Sequence, residues 1–151
     1  MEKILREYNN IKEEIRTLKD VIAESVDIKA GNSFSTHRKV KSNSSYVENA
    51  LITNEKLKDK IDRLEYVIYH VDIMIECLEH DEKAVINHTY KRKATQSFIS
   101  SYLNVSTGKV NSLRKKAIHK LERLAQFNIQ DFYGCLNWGD PLMGQNTPRN
   151  D

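Results

Sequence analysis

Apolar residues recur at helical spacing from the first turn of this chain onward. Ile4, Tyr8, Ile11, Ile15, Leu18, Ile22 and Ser25 follow a four-three repeat, with Glu and Lys over much of the remaining surface. That repeat predicts an amphipathic coiled-coil helix over residues 1–30. The stretch 31–45, rich in serine and carrying His37, Arg38, Lys39 and Lys41, breaks it and predicts a flexible basic linker. Apolar spacing resumes at 46–80 through Ala50, Asn54, Leu57, Ile61, Leu64, Ile68, Val71, Ile75 and Leu78. Val67, Met74 and Cys77 widen this stripe toward its end. Ser44 or Ser45 is placed to cap the second long helix, with Glu48 completing a capping box from Ser45. A helix of this length spans about 50 Å, so it needs helix 1, another subunit, or both, to cover it. Asn54, a polar residue in the stripe, is placed to fix register.

A short helix is expected from Asp81 to about Tyr90, capped by Asp81, with Ala84, Val85 and Tyr90 inward. The basic turn Lys91-Arg92-Lys93 leads from it into residues 95–124, which read as two helices joined by a tight turn. Phe98, Ile99, Tyr102 and Leu103 are spaced to share one face of the first. Asn104 then supplies a residue that tolerates left-handed φ, Val105 plugs the angle between the helices, and Ser106 is a natural N-cap. Val110, Leu113, Ala117, Leu121 and Leu124, widened by Ile118, form the stripe of the second helix.

Charge sharpens this picture. Residues 91–127 carry a net +8 within a chain whose total is +3. The basic charge is therefore gathered where a polyanion would dock. Lys109, Asn111, Ser112 and Lys115 are the candidates for contacts in a DNA groove, with Ser106 and Thr107 at the start of the same helix. Lys91, Arg92, Lys93, Arg114 and Lys116 are the candidates to neutralise phosphates, which sets register without reading sequence. About five phosphate contacts would give a log–log salt slope of roughly −4 to −5.

The two-helix stretch resembles the helix-turn-helix of the fourth region of bacterial sigma factors. The match rests on Gln96, Ile99, Ser100, Leu103, Asn104, Val105, Ser106, Gly108, Val110, Ser112 and the Lys116-Ala117 pair, with Ser100 and Asn104 departing from the usual Ala and Gly. Over residues 44–127 the chain is similar to phage-type transcriptional regulators of the ArpU and RinA kind. The serine-rich entry, Val47-Glu48, and the Glu82, Ile86, Tyr90 segment carry that likeness. It implies a DNA-binding activator of late or lysis-related phage genes. The expected fold is all-α: a long helical hairpin or coiled coil, then a three- to four-helix sigma-like unit at 81–127.

The tail, 128–151, holds Gly134, Gly139, Gly144, Pro141 and Pro148, so helix propensity collapses there. Phe132, Tyr133, Leu136, Trp138, Leu142 and Met143 nevertheless predict docking on the protein's own core. No phosphate loop, nucleophile elbow or HExxH occurs. Cys77-x-x-His80 is half a metal site, with His88 and Cys135 as the further ligands to look for, and it does not amount to a metal centre. Paired carboxylates such as Glu13-Glu14 and Asp81-Glu82 suit solvated surfaces or caps. Neither an enzyme nor a cofactor is expected. No apolar run approaches the ~18 residues of a membrane helix, and the N-terminus is no secretory signal. The expectation is a cytoplasmic protein with free thiols. Duplex DNA is the expected partner, with RNA polymerase a second, and self-association is expected through the long helices. Two other readings are a small terminase-like DNA-packaging subunit and an RNA polymerase adaptor without DNA affinity.

Overall fold

The computed structural model describes residues 1–31 and 44–138, with backbone alone at 27–31 and 44–47. Every regular element among them is helical: α1 (Glu2–Gly31), α2 (Ser44–Glu76), α3 (His80–Ile86), a π-turn (Asn87–Lys91), α4 (Gln96–Leu103), α5 (Thr107–Ala125) and α6 (Ile129–Cys135). The linker expected at 31–45 falls, over 32–43, outside the described residues. So do the cap expected from Ser44 or Ser45 and the tail residues Leu142 and Met143.

The two long stripes meet. Ile11 and Ile15 of α1 are buried against Ile61 and Leu64 of α2, with Leu18 and Ile22 packed beside them. Bonds from Tyr8 to Asp72, Lys19 to Glu65 and Ser25 to Asn54 run in opposite chain directions, so the helices are antiparallel. Asn54 donates to Ser25 Oγ at 3.2 Å, which places a polar pair inside an otherwise apolar seam. A pair of this kind disfavours shifted registers, because sliding the helices strands both groups.

The largest core lies where α1, α2, the π-turn, α5 and α6 converge. Ile4, Leu5 and Tyr8 meet Val71, Ile75 and Leu78, and Leu121 and Phe132 close the far side. Leu5 adds a residue outside the four-three stripe, because the first turn of α1 is covered on two sides. The first turns of α1 thus share one interior with the end of α2, the π-turn, α5 and α6.

Three sequence expectations are corrected. Asp81 does not cap α3. The chain becomes helical one residue earlier, with Glu79 in the extended N-cap conformation and no side-chain cap bond. The segment to Tyr90 is not a uniform α-helix either: it widens into the π-turn, with Arg92 N donating to Asn87 O at 3.0 Å. The extra residue rotates Tyr90 into the core and leaves Lys91 facing α2. Finally, the tail does not lose helix at Asn128. Phe132 is fully buried and anchors α6, so the apolar area it removes from water overrides weak local propensity.

Candidate nucleic-acid interface

The corner between α4 and α5 is built from short-range bonds. Thr95 caps α4 by accepting from Phe98 N at 3.3 Å. Asn104 takes the left-handed conformation, φ 54 and ψ 45, and its N–H returns to the carbonyls of Ser100 and Ser101. Val105 N donates to Ser100 O at 3.0 Å. Ser106 then caps α5, accepting from Lys109 N at 3.2 Å. Val85, Ile99 and Val110 are buried beneath this corner, with Leu103, Val105 and Leu113 packed around them.

Two apolar assignments differ from expectation. Phe98 and Tyr102 do not share the inward face of Ile99 and Leu103; both are largely exposed. They flank the buried His88 ring instead, at centroid distances of 5.6 and 4.5 Å. The π-turn brings His88 there, a shift that spacing on α4 alone does not reveal. Burial, followed by the charge of Arg92, pushes the His88 pKa down. On α5, Leu124 is exposed and Ala125 takes the buried position. The 3.6-residue period, carried from Ala117 and Leu121, reaches 125, which joins the same core cluster as Phe132.

Burial on α5 divides the candidate contacts among three sides. Val110, Ala117 and Leu121 point inward, so helical spacing puts Gly108, Ser112, Lys115 and His119 on the outward ridge. Ser106, Thr107, Lys109, Ser112, Lys115 and Lys116 are exposed. Asn111 and Arg114 are half-buried on one flank. There they line a groove of about 310 Å³ with Thr89, Gln96 and Ile99. Lys116 and Lys120 lie on the other flank, toward α3.

That second flank holds an arrangement the sequence did not reveal. Glu82, expected at a solvated surface or a cap, is 0 % exposed. Lys120 Nζ donates to it at 2.8 Å and Lys116 Nζ lies 3.1 Å away, while Glu79 reaches the same two lysines from outside. Burial pushes the Glu82 carboxyl up, but bonds from Lys120 and Lys116 outweigh it and hold the pKa below the ordinary value. A fully buried carboxylate is tolerable only when paired in this way. The spacing of Lys116 and Lys120, one turn apart, was visible in the sequence; their partner on α3 was not.

Other candidate phosphate contacts are also engaged internally. Lys91 Nζ donates to Asp72 at 2.7 Å and lies over the Tyr8 ring, while Tyr8 O–H donates to the same carboxylate at 2.8 Å. Burial, then the Asp72 bond, drives the Tyr8 pKa up. Lys93 Nζ donates to the Arg6 carbonyl at 3.1 Å, and Asn9 donates to the Lys91 carbonyl at 2.9 Å. Tyr90 O–H donates to Glu2 at 3.0 Å, and burial followed by that bond raises its pKa to about 12. The first turns of α1 therefore grip the 90–93 segment. Arg92, Lys109 and Lys115 are the exposed cations of the candidate set outside these bonds. The Nε of Arg114 is buried without a hydrogen-bond partner among the described residues.

Among the described residues, no three His, Cys, Asp or Glu side chains come together to hold a metal ion. Cys77 is exposed and Cys135 half-buried. No described helix is long and apolar enough to cross a membrane.

A protein-family model described as "Protein of unknown function (DUF722)" matches residues 1–123. The chain belongs to that family. The match runs from α1 through most of α5, so the α1 grip, the Glu82 pair and the α4–α5 corner all fall within it, while α6 lies beyond. No curated protein and no solved structure matches the chain.

Proposed function

We propose that this protein binds duplex DNA sequence-specifically in transcriptional control, with α4 and α5 acting as a helix-turn-helix and the α1–α2 pair as a helical hairpin beside it. The observation that carries this reading is the α4–α5 corner. A left-handed Asn104 and a capping Ser106 launch a 19-residue helix whose outward ridge bears Ser112 and Lys115, flanked by Lys109. In such units the first turns of the second helix enter the major groove. Lys109, Ser112 and Lys115 then face base edges or the nearest phosphates. Asn111 is set to the side and reaches a base from the flank it shares with Arg114 and Gln96. Arg92 serves phosphate.

The internal ion pairs refine the electrostatics. Lys91 and Lys116 are matched by Asp72 and by Glu79 with Glu82. With Lys93 bonded to the Arg6 carbonyl and Arg114 half-buried, the exposed cations outside internal bonds are Arg92, Lys109 and Lys115, about three phosphate contacts in place of five, and the expected slope softens to roughly −3 per chain. The sigma-like pattern and the likeness to ArpU- and RinA-type regulators support a role in activating phage or prophage genes.

Selection of genomic fragments by the purified protein, followed by sequencing, tests the reading. Recovery of fragments sharing one short motif is the expected result. Recovery of fragments with no shared motif, or of none above a protein-free control, rejects it.

A further inference from the structure

The groove on the Asn111 flank of α5 is lined from three elements. Thr89 comes from the π-turn, Gln96 and Ile99 from α4, and Val110, Asn111 and Arg114 from α5, with Ala94 between the first two. Ile99 and Val110 are buried, so part of its wall is apolar core. Every polar side chain on it can donate a hydrogen bond: the Arg114 guanidinium, the Asn111 and Gln96 amides and the Thr89 hydroxyl. Among the described residues none of the four is engaged by a side-chain hydrogen bond or an ion pair, and the Arg114 Nε is both buried and unpartnered. Buried donors are normally paired.

The charge at the groove is positive. No carboxylate lines it. Glu2 is the acid near enough to feel Arg114. The Arg6 bond, ahead of smaller contributions that include the Arg114 charge, holds its carboxyl below the ordinary value. Glu2 is bonded instead by Arg6 at 2.8 Å and by the Tyr90 O–H at 3.0 Å. Two guanidinium groups therefore share one carboxylate, and one positive charge is left over. A cation among donors, with no acid on the lining, selects an oxyanion. Donors supplied from three elements suit the tetrahedral oxygens of phosphate. The two coplanar oxygens of a carboxylate are satisfied by a single guanidinium fork.

We infer that this groove binds one phosphate group, held by Arg114 together with Thr89, Gln96 and Asn111. Lys109 and Lys115 do not line it, so the site is separate from the outward ridge of α5, and phosphate can fill it whether or not the protein binds DNA. A free phosphate and the DNA backbone both carry the group, and the test separates them.

Heteronuclear NMR of the full isotope-labelled chain, titrated with inorganic phosphate at constant ionic strength and without DNA, decides. Saturable shifts of the Arg114 Nε–H and of the Asn111 and Gln96 side-chain amides, fitting one Kd, are the expected result. Arg114→Gln should weaken binding roughly tenfold or more, and Arg114→Lys, which keeps the charge and loses the fork, should weaken it less. Gln96→Ala, at an exposed position, should weaken it roughly threefold or more, with helicity by circular dichroism unchanged. Repeating the titration with saturating duplex identifies the source. Phosphate that still binds is a free ligand, whereas its displacement by a duplex that alone reproduces the shifts assigns the group to the DNA backbone. Absence of saturable shifts at these donors, or binding that survives Arg114→Gln and Gln96→Ala unchanged, would overturn the proposal.

Discussion

Glu82→Gln removes one negative charge while keeping nearly the same shape, so it isolates the electrostatic part of the α3–α5 contact. The wild-type carboxylate is 0 % exposed and meets Lys120 at 2.8 Å and Lys116 at 3.1 Å. A hydrogen bond to a charged group contributes about 1.5–3 kcal/mol. Two effects reduce that figure here. The Lys116 and Lys120 side chains remain 56 % and 35 % exposed and regain water when the charge is lost, and the wild type bears the cost of desolvating Glu82. A net loss of about 1–2 kcal/mol at neutral pH remains. For a chain of this size it corresponds to a fall in Tm of about 2–8 °C. The sign of the pH dependence follows from the depressed folded pKa of Glu82. Its stabilisation is present above the ordinary carboxylate value of 4.5 and is lost as pH falls through the folded pKa. Thermal melts of both proteins at neutral pH and at steps into acid should therefore show a gap that closes in acid. A Gln variant as stable as wild type at neutral pH would mean that desolvation cancels the pair. A gap that persists unchanged in strong acid would mean that it never reported the charge.

Lys115→Ala should weaken DNA binding and reduce the salt slope by about one, whereas Lys116→Ala, already held by Glu82, should leave the slope unchanged and lower thermal stability instead; equal slopes for both variants would contradict this division. Asn111→Ala should cut discrimination between cognate and random duplex by about 1–3 kcal/mol, while Arg92→Ala should weaken both about equally, as competition binding on folded variants would read. Asn104→Gly should be neutral or mildly stabilising, and Asn104→Val should cost about 1–2 kcal/mol because a β-branched residue is strained at positive φ; chemical denaturation measures both. Phe132→Ala should cost about 3–5 kcal/mol in the same assay, and a loss near zero would show that α6 is not part of the core.

Much of the architecture was legible because its signals are local. The repeat from Ile4 to Ser25 and the stripe from Ile61 to Leu78 mark which faces of α1 and α2 meet, since period and burial coincide on a two-sided helix. Asn104 and Ser106 were readable for the same reason: a left-handed turn and a cap are each made within a few residues. What the sequence hid depends on partners distant along the chain. Glu82 looks like any carboxylate in a charged run until Lys116 and Lys120 are folded onto it. Lys91 and Lys116 read as free cations because Asp72 and Glu79 lie far away in sequence. Phe98 and Tyr102 fit an inward face on spacing, but the π-turn presents His88 to them from the side. In the tail, propensity argued against a helix at Ile129–Cys135, and burial of Phe132 decided otherwise. Among the candidate contacts on α5, spacing alone gave little guidance on which of the helix's three sides each residue takes.

The affinity of the purified protein for a duplex selected from its own genomic pool, measured by fluorescence anisotropy across a series of salt concentrations, tests the central claim most directly. Binding through Arg92, Lys109 and Lys115 predicts a linear log–log plot with a slope of roughly −3 for each bound chain. Affinity that stays flat across the series, or no measurable binding at the lowest salt, would contradict the account.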